Sequence, residues 1–213
     1  MLVVGVRKSH WYVLTNATKS KSASGRSSAG RRSKKAEAEG RVILFLDESA
    51  FYLLPGVRRT WAPVGQTPLL RCPLSYDHLS VISAIAPDGS LFLTMQKQAF
   101  DSQAVIAFLN QLLHEIDGKL LLIWDGAPIH RSKAIQQFLA DGAAKRILLE
   151  RLPAYAPDLN PDEGVWHYLK QVELANLCCK DLDDLSRHLD IAADNLADNP
   201  DLIKACFRQI GYY

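Results

Sequence analysis

From Arg41 onward, five short apolar runs, Val42–Leu46, Leu79–Ala86, Leu91–Met95, Leu120–Trp124 and Ile147–Leu152, alternate with segments of helical periodicity. Runs of this length bounded by turn residues suit buried strands, which need covering layers on both sides of a sheet. The second and third are joined by Pro87-Asp88-Gly89, a turn signal that predicts a hairpin. Asp101 is placed to cap a helix with the apolar stripe Val105, Phe108, Leu109, Leu112, Leu113 and Ile116, and Ser132 to cap another carrying Ile135, Phe138 and Leu139. Further helices fit Val165–Leu174, Leu182–Ala197 and Asp201–Ile210. Strand, hairpin, helix, strand, helix, strand, helices is an α/β order that predicts a mixed five-stranded sheet flanked by helices.

At 213 residues, 48% of them hydrophobic, the chain is long enough for one sizeable core. No apolar run reaches the roughly 18 residues of a membrane span, and Arg7 and Lys8 interrupt the N-terminal MLVVGV before a signal-peptide core forms, so a soluble cytoplasmic protein with no membrane partner is expected. Cys72, Cys178, Cys179 and Cys206 lack metal-ligand spacing and read as reduced thiols. Charge is unevenly spread. Residues 1–40 hold nine Lys or Arg against Glu37 and Glu39, a local +7 that leaves −5 for the rest of a +2 chain. The Ser-rich basic stretch predicts a disordered arm over residues 1–32, ahead of a folded unit over 33–213. Such an arm suits non-specific phosphate contacts, although a solvated tail has the same composition.

Three acids stand at chemically pointed places. RVILFLDES carries Asp47 after an apolar run, LLLIWDGAPIH carries Asp125 after another, and NPDEGVW puts Glu163 at a helix start. Carboxylates beside core segments are tolerable when a cation shares their charge, and hard divalent ions take oxygen ligands. The pattern therefore points to metal-dependent phosphoryl transfer. Each position has a competitor. Val42–Leu46 is apolar throughout, so alternation does not say whether Asp47 or Glu48 faces a site. His130, five residues beyond Asp125, is a second-tier candidate for orienting a phosphate or a metal-bound water, although a histidine so placed is more often an exposed loop residue. Asn160, Pro161, Asp162 and Glu163 fit N-cap to N3, where Glu is the partner in a capping box. At 100° per residue Asp162 lies nearer than Glu163 to the stripe of Val165, Trp166, Leu169 and Val172, which favours Asp162 as the inward acid.

LFLDES, RRTWAPVGQTPLLR, IWDGAPIH and LPAYAPDLNPDEGVWHYLK together resemble the catalytic domain of DDE transposases, in the bacterial insertion-sequence branch of the mariner superfamily, from about Ser33 to the C-terminus. The resemblance implies a ribonuclease H-like fold with Asp47, Asp125 and Glu163 as catalytic metal ligands, Asp47 bridging two magnesium or manganese ions. It implies DNA strand cleavage and strand transfer during transposition. Arg58, Arg59, Trp61 and Lys170 then read as DNA-binding residues, because Arg and Lys dominate phosphate contacts and aromatic rings stack on any base. The segment from Leu54 to Pro68 resembles the loop that reaches a second subunit in mariner relatives, so a homodimer on DNA is expected. Residues 1–40 cannot form the family's helix-turn-helix modules, from which an N-terminally truncated transposase is expected. Two alternatives stay open: a catalytically silent remnant that binds DNA or a partner, and a nuclease or resolvase of the same fold.

Overall fold

A computed structural model describes residue 36 and residues 38–212, apart from 65, 67, 68, 73, 74 and 154–156. The basic arm expected over residues 1–32 lies outside the described residues. The strands are β1 (Val42–Tyr52), β2 (His78–Ile85), β3 (Leu91–Gln96), β4 (Leu120–Trp124) and β5 (Ile147–Arg151). The helices are α1 (Ser102–Glu115), α2 (Lys133–Ala140), α3 (Asp162–Tyr168), α4 (Leu182–Ala197) and α5 (Pro200–Gln209). All five strands join one sheet in the order β3-β2-β1-β4-β5. The β1–β2 and β2–β3 pairs are antiparallel, and β1–β4 and β4–β5 are parallel.

Side-chain alternation divides the core in two. Ile43, Phe45 and Phe51 of β1 and Leu121 and Ile123 of β4 meet Val165, Trp166, Leu189 and Phe207 from α3, α4 and α5. Leu44 and Leu46 of β1 and Leu120, Leu122 and Trp124 of β4 meet Val105, Phe108, Leu112 and Ile135 from α1 and α2. A strand covered on both faces must be apolar at every position, which is why β4 reads as an unbroken LLLIW. The caps form as the sequence predicts: Asp101 Oδ1 accepts from the Ala104 N–H at 2.8 Å, and Ser132 Oγ from the Ile135 N–H at 3.3 Å.

Two elements depart from the sequence reading. The first strand does not stop at Leu46. Its ladder with β2 continues from Asp47 opposite Ser83 to Tyr52 opposite His78, so Asp47 is a mid-strand residue. Its later half is half-buried rather than apolar, and only cross-strand pairing reveals it. The helix expected over Val165–Leu174 instead starts at Asp162, runs to Tyr168, and passes into a π-helical segment, Leu169–Glu173. Among the described residues no helix is long and apolar enough to cross a membrane.

The α3–α5 contact is tight enough to require glycine. A Cβ at Gly164 would lie 2.6 Å from Cys206 Sγ and 3.0 Å from its Cβ. We expect Gly164→Ala to destabilise the fold by about 1–3 kcal/mol through overpacking, and Cys206→Ala in the same chain to recover part of the loss. Denaturant unfolding of the two single variants and the double variant measures the coupling.

Candidate active site

The parallel pairing of β1 with β4 ends with Leu46 opposite Trp124, so Asp47 and Asp125 are the next residues on neighbouring strands. Alternation turns Asp47 toward the α3 face, where the Trp166 indole N–H donates to its Oδ2 at 2.9 Å. Burial pushes the Asp47 carboxyl up to about 6, with Glu163 and Asp125 adding repulsion against the Trp166 and Glu48 N–H bonds that favour the charged form. The three acids predicted from sequence therefore come together as one electrostatic group. Asp125 stands at the exit of β4 with its side chain 53% exposed, and Glu163 is exposed in the first turn of α3.

Glu163 and Asp162 have opposite surroundings. Asn160 Oδ1 accepts from the Asp162 N–H at 3.2 Å, and the first helical residue is Asp162, one position later than the sequence spacing suggests. Glu163 thus misses N3 and forms no capping box, and among the described residues its carboxylate takes no hydrogen bond. Asp162 is the inward acid, as its place on the helical wheel predicts. It is wholly buried, with Oδ1 accepting from Ser83 Oγ at 2.6 Å and Oδ2 enclosed without a hydrogen-bond partner among the described residues. Burial holds its carboxyl well above the usual range, and the charges of Asp47 and Glu163 push the same way.

A family model for DDE superfamily endonucleases matches residues 42–186, a span that contains all three exposed or half-buried acids. The chain belongs to the DDE superfamily endonucleases. A curated relative, an uncharacterized protein y4pE/y4sA of Sinorhizobium fredii (strain NBRC 101917 / NGR234), is 30% identical over 102 residues, 47% of this chain and 71% of its own. Among solved structures, a Mos1 transposase paired-end complex with the left transposon end superposes with a TM-score of 0.56 at 15% identity, covering 94% of this chain and 67% of that one. A mariner Mos1 paired-end complex with Mg gives 0.55 at 16% identity over the same shares. The fold of this chain is ribonuclease H-like.

The remaining predicted residues are divided between the site and its margin. Lys170 reaches the acids: its Nζ donates to Ser49 Oγ at 2.7 Å and lies 4.9 Å from the Phe51 ring centroid. Burial lowers its pKa, while the charges of Glu163 and Asp47 favour its protonated form. Arg58 anchors the following loop, its N–H donating to Asn176 Oδ1 at 2.8 Å and its Nε to Gln171 Oε1 at 2.7 Å. Arg59 and Trp61 are exposed on that loop and stand apart from the acids' contacts. Glu48 projects to the opposite face from Asp47 and meets the buried His130. Sequence reasoning missed three contributors: Trp166, Ser83 and Gly126. A Cβ at Gly126 would overlap the Arg151 guanidinium, so the glycine after Asp125 admits a cation to the strand end. The cysteines are free thiols. Cys179, Asp184 and His188 approach one another at the start of α4, but the Asp184 carboxylate already accepts from the Lys180 N–H and Arg187.

Burial raises Asp47 only in the folded state, so between its ordinary 3.8 and about 6 the folded protein holds more protons than the unfolded chain. Without divalent cations, stability is therefore expected to fall as pH rises through that window. Asp47→Asn retains an oxygen for the Trp166 bond and should raise metal-free stability at pH 7 by about 1–2 kcal/mol, flattening this part of the profile. Asp162 contributes a slope of the same sign that the substitution leaves in place. Urea unfolding in chelator from pH 4 to 7 reads the difference.

Proposed function

We propose that this chain is the catalytic domain of a transposase, cleaving DNA strands and joining them to target DNA with Asp47, Asp125 and Glu163 as ligands of two magnesium or manganese ions. The observation that carries the reading is the convergence of three carboxylates, with Glu163 making no side-chain hydrogen bond among the described residues. The donor set is all hard oxygen, and Asp47 is charged there only at an electrostatic cost that a divalent cation would remove. The Mg-containing complex of the structurally similar Mos1 transposase supports the same choice of ion.

When bound, the ions supply Lewis acidity that stabilises charge developing on a phosphoryl oxygen. The protein's part is to position and to neutralise. Asp47 is held by Trp166 through Oδ2, and its second oxygen has no side-chain hydrogen bond among the described residues. Lys170, half-buried beside Ser49, is placed to pair with a DNA phosphate near the acids. Arg59 and Trp61 present a guanidinium and an indole on an exposed loop suited to backbone and base contacts, and Arg58 fixes that loop to the segment after α3. DNA is accordingly the substrate, transposon end and target alike, and a homodimer on paired ends is the assembly this reading implies. The match to a Mos1 complex with a transposon end supports a DNA substrate.

Nicking of supercoiled plasmid in the presence of Mn2+ tests the assignment. Wild-type protein should nick, and Glu163→Gln should lose at least about a hundredfold in rate while its metal-free stability changes by less than about 1 kcal/mol. Asp162→Asn, which keeps an acceptor for Ser83, should nick within a few-fold of wild type. The reverse pattern would transfer the role to Asp162, and no metal-dependent nicking by the wild type would leave a silent domain of the same fold.

A further inference from the structure

The Asp125 side chain is 53% exposed, yet one of its oxygens has close neighbours on two sides. Its Oδ1 accepts from the Ala127 N–H at 2.9 Å and lies 3.0 Å from His130 Nδ1, which also faces the Asp125 backbone carbonyl at 3.5 Å, whereas Oδ2 has no partner among the described residues. His130 sits on a 3-10 turn, Pro128–Arg131, with its side chain only 4% exposed. Its ring stacks on Trp124, the last residue of β4, with centroids 4.1 Å apart and planes 3° from parallel. The other ring nitrogen, Nε2, lies 3.1 Å from Glu48 Oε1. Glu48 belongs to β1 and comes from the strand that carries Asp47.

We propose that His130 is a positioning residue, a clamp that fixes the Asp125 carboxylate for metal binding and is itself held by Glu48 and Trp124. This rests on the reading of Asp125 as a metal ligand. A ring needed only for packing would stack on Trp124 without placing both nitrogens against carboxylate oxygens 3.0 and 3.1 Å away. The contact chain runs Glu48, His130, Asp125, so it ties β1 to the loop after β4 a second time, beyond the point where their ladder ends. Partners that orient a ligating carboxylate commonly change metal affinity 10–100-fold when removed. Fixing Oδ1 in advance also leaves fewer rotamers to be lost when Oδ2 meets a cation.

The experiment is calorimetric titration of the whole chain with Mn2+ alone, together with the melting temperature of each metal-free variant. His130→Phe keeps the ring stack and deletes both nitrogens; it should stay folded and weaken Mn2+ binding by about 10-fold or more. His130→Asn places an amide nitrogen near the position of Nδ1 and should retain more affinity than His130→Phe. Glu48→Ala should weaken binding in the same direction, and combining it with His130→Phe should add little, because both break one chain. Wild-type affinity in both His130→Phe and Glu48→Ala, with Asp125→Asn still losing Mn2+, overturns the clamp and leaves the metal site standing. Failure of the wild-type protein to bind Mn2+ overturns the metal site and the clamp with it.

Discussion

The register of β1 against β4 is the constraint on which the site depends. Parallel strands place residues at equal depth, and Leu46 opposite Trp124 sets Asp47 beside Asp125 at the point where β4 gives way to a loop. The ladder that enforces this is buried on both faces, with Leu44, Leu46, Leu120, Leu122 and Trp124 on one and Ile43, Phe45, Leu121 and Ile123 on the other nearly or wholly excluded from water. Several buried side chains of this size are each worth roughly 1.5–3 kcal/mol, which exceeds the repulsion among carboxylates partly open to solvent. The core thus holds together an arrangement of charge that would otherwise disperse. Burial of Asp47 and Asp162 is the visible residue of that conflict, and the Trp166 and Ser83 hydrogen bonds offset part of it.

Much of the fold was legible in the sequence because its strands and helices announce themselves by apolar periodicity. β4 and α4 coincide with the runs that predict them, Leu120–Trp124 and Leu182–Ala197, and the Asp101 and Ser132 caps form as their spacing suggests. What escaped was information carried between elements. The later half of β1 is specified by pairing with β2 rather than by its own composition. The switch from α3 to a π-helical segment, flanked by the buried Leu169 and Leu174, is marked by no Gly or Pro in Leu169–Glu173. The three acids could be named from motifs, but the sequence did not show that an indole, 119 positions away, would bind Asp47.

Asp162 and Glu163 illustrate how two neighbouring acids take different fates. The wheel argument identified Asp162 as inward, and it is inward, but inward here means sealed against Ser83 rather than open to a ligand. Glu163, rotated toward solvent in the first turn, remains near enough to raise Asp47 and has no side-chain hydrogen bond among the described residues to give up. A helix's first turn offers both environments within one residue. Sequence periodicity ranks burial; it does not rank access.

Asp47 and Glu48 lie on opposite sides of one strand, and that parity has a further consequence. The sheet is a partition, yet this dipeptide is gripped from both chambers, by Trp166 on one side and His130 on the other. A single-residue deletion in Val42–Leu46 would bring Glu48 to the Trp166 grip and Ser49 to the His130 grip, and an insertion would bring Leu46 to the first and Asp47 to the second, so net charge would be preserved while one grip lost its acid. The adjacent pair of acids, bounded by Leu46 and Ser49, therefore acts as a frame marker for β1. Sequence drift that kept acidity alone would not keep the geometry.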